Sequence, residues 1–123
     1  MNKTVLIVED EFPLLRVMEQ KFKQEGFNVV LAKDGEEGLM KFRETTPDIV
    51  LIDIILPRMD GMTMLGKIRQ EPTGQHVPII LLTNLSDAEK VKEGIQQGVY
   101  DYLVKADWKL EDVVQKVRER LEM

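Results

Sequence analysis

The chain has 123 residues, 43% of them hydrophobic and 32% charged, with 22 acids against 17 bases and a net charge of -5. That length suits one domain able to bury about two thirds of its surface without staples, and the composition excludes a disordered or fibrous protein. Without cysteine there can be no disulfide, thiolate zinc site or cysteine nucleophile; the acidic balance argues against direct nucleic-acid binding, and no apolar run approaches the ~18 residues of a membrane span or the form of a signal peptide.

In chain order, the first apolar run covers residues 5–8 and is followed by Glu9, Asp10 and Glu11. A helix is predicted over residues 14–25, with Leu14, Leu15, Met18 and Phe22 on one face and Gly26 at its end. The second run, 29–32, leads into a helix opened by Asp34 and Glu37, a start resembling a capping box, which buries Leu39 and Phe42. Pro47 and Asp48 precede the third run, 49–52, which ends at Asp53. A short helix is predicted over 64–69 with Leu65 and Ile68 inward, and residues 71–78, with Pro72, Gly74 and Pro78, read as a loop.

The fourth run, 79–82, ends at Thr83. Ser86 and Glu89 form a capping box for a fourth helix that carries Val91 and Ile95 and closes at Gly98. The fifth run, 102–104, ends at Lys105, and Leu110, Val113, Val114, Val117 and Leu121 make the apolar stripe of a last helix. Continuous, β-branched runs mark strands covered on both faces, and their spacing of 20 to 30 residues fits helical crossovers. The expected fold is therefore (βα)5: a single doubly wound α/β domain over residues 1–123 with a five-stranded parallel sheet.

In an open parallel sheet, ligands bind at the carboxyl ends of the strands. Four of the five runs deliver a charged or hydroxyl side chain to that edge: Glu9 with Asp10, Asp53, Thr83 and Lys105. Strands commonly end in polar residues, so any one of these means little. Gathering Glu9, Asp10 and Asp53, as neighbouring first and third strands would do, costs repulsion and desolvation unless a cation compensates. Such an oxygen-rich, water-accessible cluster suits Mg²⁺. Lys105 adds a fixed positive charge and Thr83 a hydroxyl donor, which together describe a phosphoryl group held on or near Asp53.

Five segments, in order, carry a family likeness: Val5-Leu6-Ile7-Val8-Glu9-Asp10-Glu11; Pro47-Asp48-Ile49-Val50-Leu51-Ile52-Asp53; Leu56-Pro57-Arg58-Met59-Asp60-Gly61; Val77-Pro78-Ile79-Ile80-Leu81-Leu82-Thr83; and Gly98-Val99-Tyr100-Asp101-Tyr102-Leu103-Val104-Lys105. Over essentially its whole length the chain resembles the receiver domain of two-component response regulators. The resemblance implies flavodoxin-like strand order 2-1-3-4-5, with Asp53 as phosphoacceptor from a phosphohistidine on a histidine kinase or phosphotransfer protein. It implies Mg²⁺ held by Glu9, Asp10, Asp53 and the backbone carbonyl of Ile55. Thr83 matches the switch hydroxyl, Lys105 the phosphate-pairing lysine and Tyr102 the aromatic that moves with the threonine. The face made by the fourth helix, fifth strand and fifth helix would then dock a downstream target or a second copy. The implied protein is a cytoplasmic signalling switch, not a turnover enzyme, with no output domain in this chain.

Four positions depart from the family pattern. Asn84 stands where a small residue is usual, and Ala106 where proline with a cis bond is usual, so the Lys105–Ala106 loop is either trans and rearranged or strained. Ile55 and Leu85, two residues beyond Asp53 and Thr83, are apolar; the expectation is that they hinder the attacking water and lengthen the phosphoryl lifetime. Asn84 and Ala106 keep open a degenerate receiver acting as an interaction scaffold. A haloacid-dehalogenase-like phosphatase would need an aspartate at position 55, which is isoleucine, and a flavodoxin-type phosphate cradle would need glycines where Glu9, Asp10 and Glu11 stand. His76 reads as plain surface, Met59, Met62 and Met64 as core and loop filler, and Trp108 as packing at the start of the last helix.

Overall fold

The computed structural model describes residues 2–83, 92, 96, 101–104 and 109–123, with residues 101, 102 and 104 described by their backbone course alone. Strands β1 (Thr4–Val8), β2 (Asn28–Ala32), β3 (Ile49–Asp53), β4 (Ile79–Thr83) and β5 (Asp101–Val104) form one parallel sheet in the order β2-β1-β3-β4-β5. Helices α1 (Phe12–Gln24), α2 (Gly35–Thr45), α3 (Gly61–Gln70) and the C-terminal α4 (Leu110–Arg120) cover it.

Continuous apolar strands work here because the pleat sends alternate residues to two separate cores. Leu6, Val8, Val50, Ile52, Ile79 and Leu81 pack with Leu39 and Phe42 of α2 and Leu65 and Ile68 of α3. Val5, Ile7, Ile49, Leu51, Ile80 and Leu82 pack with Leu15, Met18 and Phe22 of α1 and Val113, Val114 and Val117 of α4. Phe22 and Phe27 meet edge to face, ring centroids 5.3 Å apart. Met64 and Met62 are core, Met59 packs against it, and His76 is exposed.

The helix boundaries differ from expectation where starts are polar or carry proline. Helix α1 begins at Phe12 rather than Leu14, because Pro13 fits a first turn whose N–H groups have no intrahelical partner; Leu14 is only half-buried. Helix α3 runs from Gly61, not residue 64: Asp60 caps it, accepting the Thr63 N–H at 2.8 Å. Asp34 caps α2 as expected, accepting from Glu37 N–H at 2.8 Å, but Glu37 reaches back to the N–H of Lys33 instead of the cap residue itself. Gly26, with φ of 92°, stops α1 in a conformation L side chains rarely adopt. The loop over 71–78 contains a 3₁₀ turn at Pro72–Gly74.

An ionic cluster ties α4 to α1. Arg118 donates to Glu25 at 2.7 Å, and Lys21 lies 3.7 Å from Glu25 and 3.5 Å from Glu111. The backbone N–H of Glu111, with Lys21 behind it, holds that carboxyl below the usual carboxylate range. Of the fourth predicted helix, positions 92 and 96 are described, both helical and exposed; Ser86, Glu89, Val91, Ile95 and Gly98 lie outside the described residues, as do Asn84, Leu85, Lys105, Ala106 and Trp108.

Candidate functional site

The strand order reverses between β1 and β3, so the loops leaving these neighbours diverge and open a crevice at their carboxyl ends. Val8 pairs with Ile52, which places Glu9 and Asp53 side by side as the next residues of the two strands. Glu9 is fully buried, its backbone N–H bound to the Ala32 carbonyl at 3.0 Å and its side chain accepting the Glu11 N–H at 3.2 Å. Asp10 is exposed, and Asp53 is buried at the end of β3. One carboxylate oxygen from each of Glu9, Asp10 and Asp53 falls within 4.8 Å of the others.

Opposite ligands of an octahedral Mg²⁺ stand about 4.2 Å apart. The three oxygens are thus spread on the scale of one hard cation's shell, and two buried acids beside an exposed one leave a face for water. The donor set, all carboxylate oxygen with no imidazole or thiolate, fits Mg²⁺ and not a softer metal.

The rest of the crevice is built by backbone. The Asp53 carboxylate accepts the Ile55 N–H at 3.1 Å, which turns the chain sharply past the acid and leaves the Ile55 side chain half exposed beside it. Ile54 N–H returns to the Leu82 carbonyl at 3.1 Å, and Gly61 N–H to the Ile54 carbonyl at 2.9 Å. A Cβ on Gly61 would stand 2.2 Å from the Asp53 carbonyl oxygen, so only glycine lets α3 start this close to the end of β3. Thr83 is buried at the end of β4, where Asp53 pairs with Leu82, one residue before it. Tyr102 is in β5, paired with Leu81. Lys105 lies outside the described residues. Nothing in the sequence pattern marks Arg58, an arginine with φ of 67°, or its ion-pair partner Asp34, as part of this edge.

Fold and crevice together define an α/β domain of flavodoxin-like strand order with an acidic pocket at its switch point. The family described as "Response regulator receiver domain" matches residues 5–118, and the chain belongs to that family. Among solved structures it is similar to a receiver domain protein (CheY-like) of Methanospirillum hungatei, at 29% identity and TM-score 0.91 over 99% of this chain and 95% of that one. It is also similar to the receiver domain of the sensor histidine kinase PA1611 of Pseudomonas aeruginosa, determined with a magnesium ion coordinated in the active site cleft, at 28% identity and TM-score 0.86 over 97% of both. The response regulator ArlR of Staphylococcus saprophyticus is 36% identical over 117 residues, 95% of this chain and 51% of that protein. The chain spans between 23% and 51% of the length of such curated relatives. Receiver domains are signalling switches of two-component systems and bind Mg²⁺ in an acidic pocket. No helix among the described residues is long and apolar enough to cross a membrane.

Proposed function

We propose that this domain is a phosphorylation-dependent switch in which Asp53 accepts a phosphoryl group from a phosphohistidine of a histidine kinase or phosphotransfer protein. The observation that carries the reading is the convergence of the Glu9, Asp10 and Asp53 carboxylates within 4.8 Å at the switch point. Glu9, Asp10, Asp53 and the Ile55 carbonyl would hold Mg²⁺, as the magnesium-bound PA1611 receiver supports. Bound there, the cation would neutralise charge on the phosphoryl oxygens. The chain's own part is positional: the Ile55 N–H fixes the Asp53 carboxylate, and burial strips it of bulk water. The P–N bond of the donor breaks as a P–O bond to Asp53 forms, and the imidazole leaves.

The phosphoryl group then adds about -1.5 to -2 charges and strong acceptor oxygens at the sheet edge. Thr83, at the end of β4, and Lys105 are assigned to bind it, and Tyr102 to follow the threonine. The face built from the fourth predicted helix, β5 and α4 would pass the change to a target protein or a second copy, as a population shift instead of a turnover reaction. Residues 1–123 act as one phosphoacceptor unit in this reading, in the cytoplasm.

The test is incubation with Mg²⁺ and acetyl phosphate, followed by mass measurement. The wild type should gain one phosphoryl group that is stable in acid and labile in base; Asp53→Asn should gain none. A modified Asp53→Asn, or an unmodified wild type, would overturn the assignment.

The half-exposed Ile55 side chain beside Asp53 leads to a kinetic expectation. An apolar group there cannot orient an attacking water, so the acyl phosphate should be long-lived. Ile55→Asn should speed phosphate release several-fold, measured as decay of the phosphorylated mass after donor removal. Equal decay rates would show that Ile55 does not control water access.

A further inference from the structure

The loop that joins Asp53 to α3 contains a backbone outlier. Arg58 has φ of 67°, and Met59 N–H donates to the Pro57 carbonyl across it at 2.8 Å. A bond over three residues with positive φ at the centre is a γ-turn of the rarer, strained hand. A non-glycine residue persists there only where its surroundings over-determine it, and such strain clusters at functional sites.

Two contacts do so here. The Arg58 guanidinium lies 3.5 Å from Oδ2 of Asp34, while Oδ1 of the same carboxylate caps α2 through the Glu37 N–H. That side chain is 8% exposed and is held at the N-terminus of α2 by its cap bond, which keeps it fixed. The first residue of α2, Gly35, lies so close to the loop that a Cβ would fall 1.9 Å from the Met59 carbonyl oxygen. The turn is therefore docked backbone to backbone on α2 and fastened by Arg58 to the residue that caps α2.

We propose that Asp34 and Arg58 form a latch that presets the loop from Ile54 to Gly61, and with it the Ile55 carbonyl, before any cation arrives. Arg58 is a positioning residue: it acts through the backbone and does not touch the phosphoryl group. The proposal rests on the reading of Asp53 and its neighbours as the metal-binding phosphoacceptor site. Because the guanidinium is 68% exposed, the ion pair contributes little to global stability. Its effect falls on a local equilibrium between docked and released loop.

Amide hydrogen exchange on the metal-free protein, with Mg²⁺ titration by calorimetry, tests this. Arg58→Ala should speed exchange at the Met59 and Gly61 amides about three- to fivefold, leave the β1 and β3 amides unchanged and weaken Mg²⁺ binding by a similar factor. Arg58→Lys should restore both to within about twofold. Asp34→Asn keeps the oxygen that caps α2 but removes the charge, so it should match Arg58→Ala, and the double variant should be no worse than either. Wild-type exchange and Mg²⁺ affinity in Arg58→Ala and Asp34→Asn would overturn the latch alone. A wild type that fails to bind Mg²⁺ would overturn the site reading and the preset-carbonyl role together.

Discussion

Asp53→Asn, which removes the proposed phosphoacceptor, should melt about 3–8 °C above the wild type in buffer with EDTA. The reason is the proximity of the Glu9, Asp10 and Asp53 carboxylates, which share a crevice within 4.8 Å. At an effective dielectric near 20, unit charges about 4–5 Å apart repel by about 3–4 kcal/mol, of which solvent and salt at the open face screen the larger part. Asparagine keeps the shape and the oxygen that accepts the Ile55 N–H, loses the charge and gains donors toward the remaining acids. A net gain of about 1–2 kcal/mol gives the stated shift for a chain of this size.

Mg²⁺ should reverse the order. A cation at 100 times its dissociation constant stabilises the folded state by about 2.7 kcal/mol, and the variant, short of one proposed anionic ligand, should show almost none of that gain. Thermal melts of both proteins with EDTA and with millimolar Mg²⁺ check the crossover. A variant that melts below wild type in EDTA would mean that attraction, not repulsion, dominates at Asp53.

How much of this site can be read from the residues alone depends on what kind of atom does the work. Glu9, Asp10, Asp53 and Thr83 are legible because a parallel sheet leaves few choices: apolar runs end at one edge, and the first polar residue after each run must stand there. The two-core division of each strand comes from the same pleat, which is why alternate residues of 5–8 and 49–52 face different helices. The loop after Asp53 is not legible. Its geometry is set by backbone atoms, the γ-turn at Arg58 and the approach of Gly35 and Gly61, and backbone contacts carry no residue-type signature beyond the occasional glycine. Helix starts are misplaced for a related reason: the helices expected from residues 14 and 64 begin at Phe12 and Gly61, because the capping role of Asp60 depends on the conformation of the next three residues and Pro13 is accommodated in a first turn.

Gly61→Ala should be strongly damaging, because the residue sits directly against the end of β3. The added Cβ would stand 2.2 Å from the Asp53 carbonyl oxygen, 2.9 Å from the Ile54 Cα and 3.0 Å from the Asp53 carbonyl carbon. All three are backbone atoms, and the Ile54 carbonyl is already engaged by the Gly61 N–H at 2.9 Å. Relief requires α3 to withdraw from the end of β3, which unpacks Met64, Leu65 and Ile68 from a dense core. We expect a loss of about 2–3 kcal/mol, a melting point lower by about 10 °C, and Mg²⁺ affinity reduced about tenfold because the Asp53 peptide moves with the helix.

Gly38→Ala is the control. Its Cβ would also be crowded, but by Cε and Sδ of Met64 at 2.7 and 2.8 Å, the end of a flexible side chain that can turn aside, and by a Val8 methyl at 3.0 Å. The gain in helix propensity of about 1 kcal/mol offsets that rearrangement, so the variant should stay near wild-type stability and keep its Mg²⁺ affinity. Chemical denaturation of both variants, paired with Mg²⁺ titration, separates the cases. Equal stability losses would mean that crowding by volume, and not by immovable backbone at the end of β3, governs both sites.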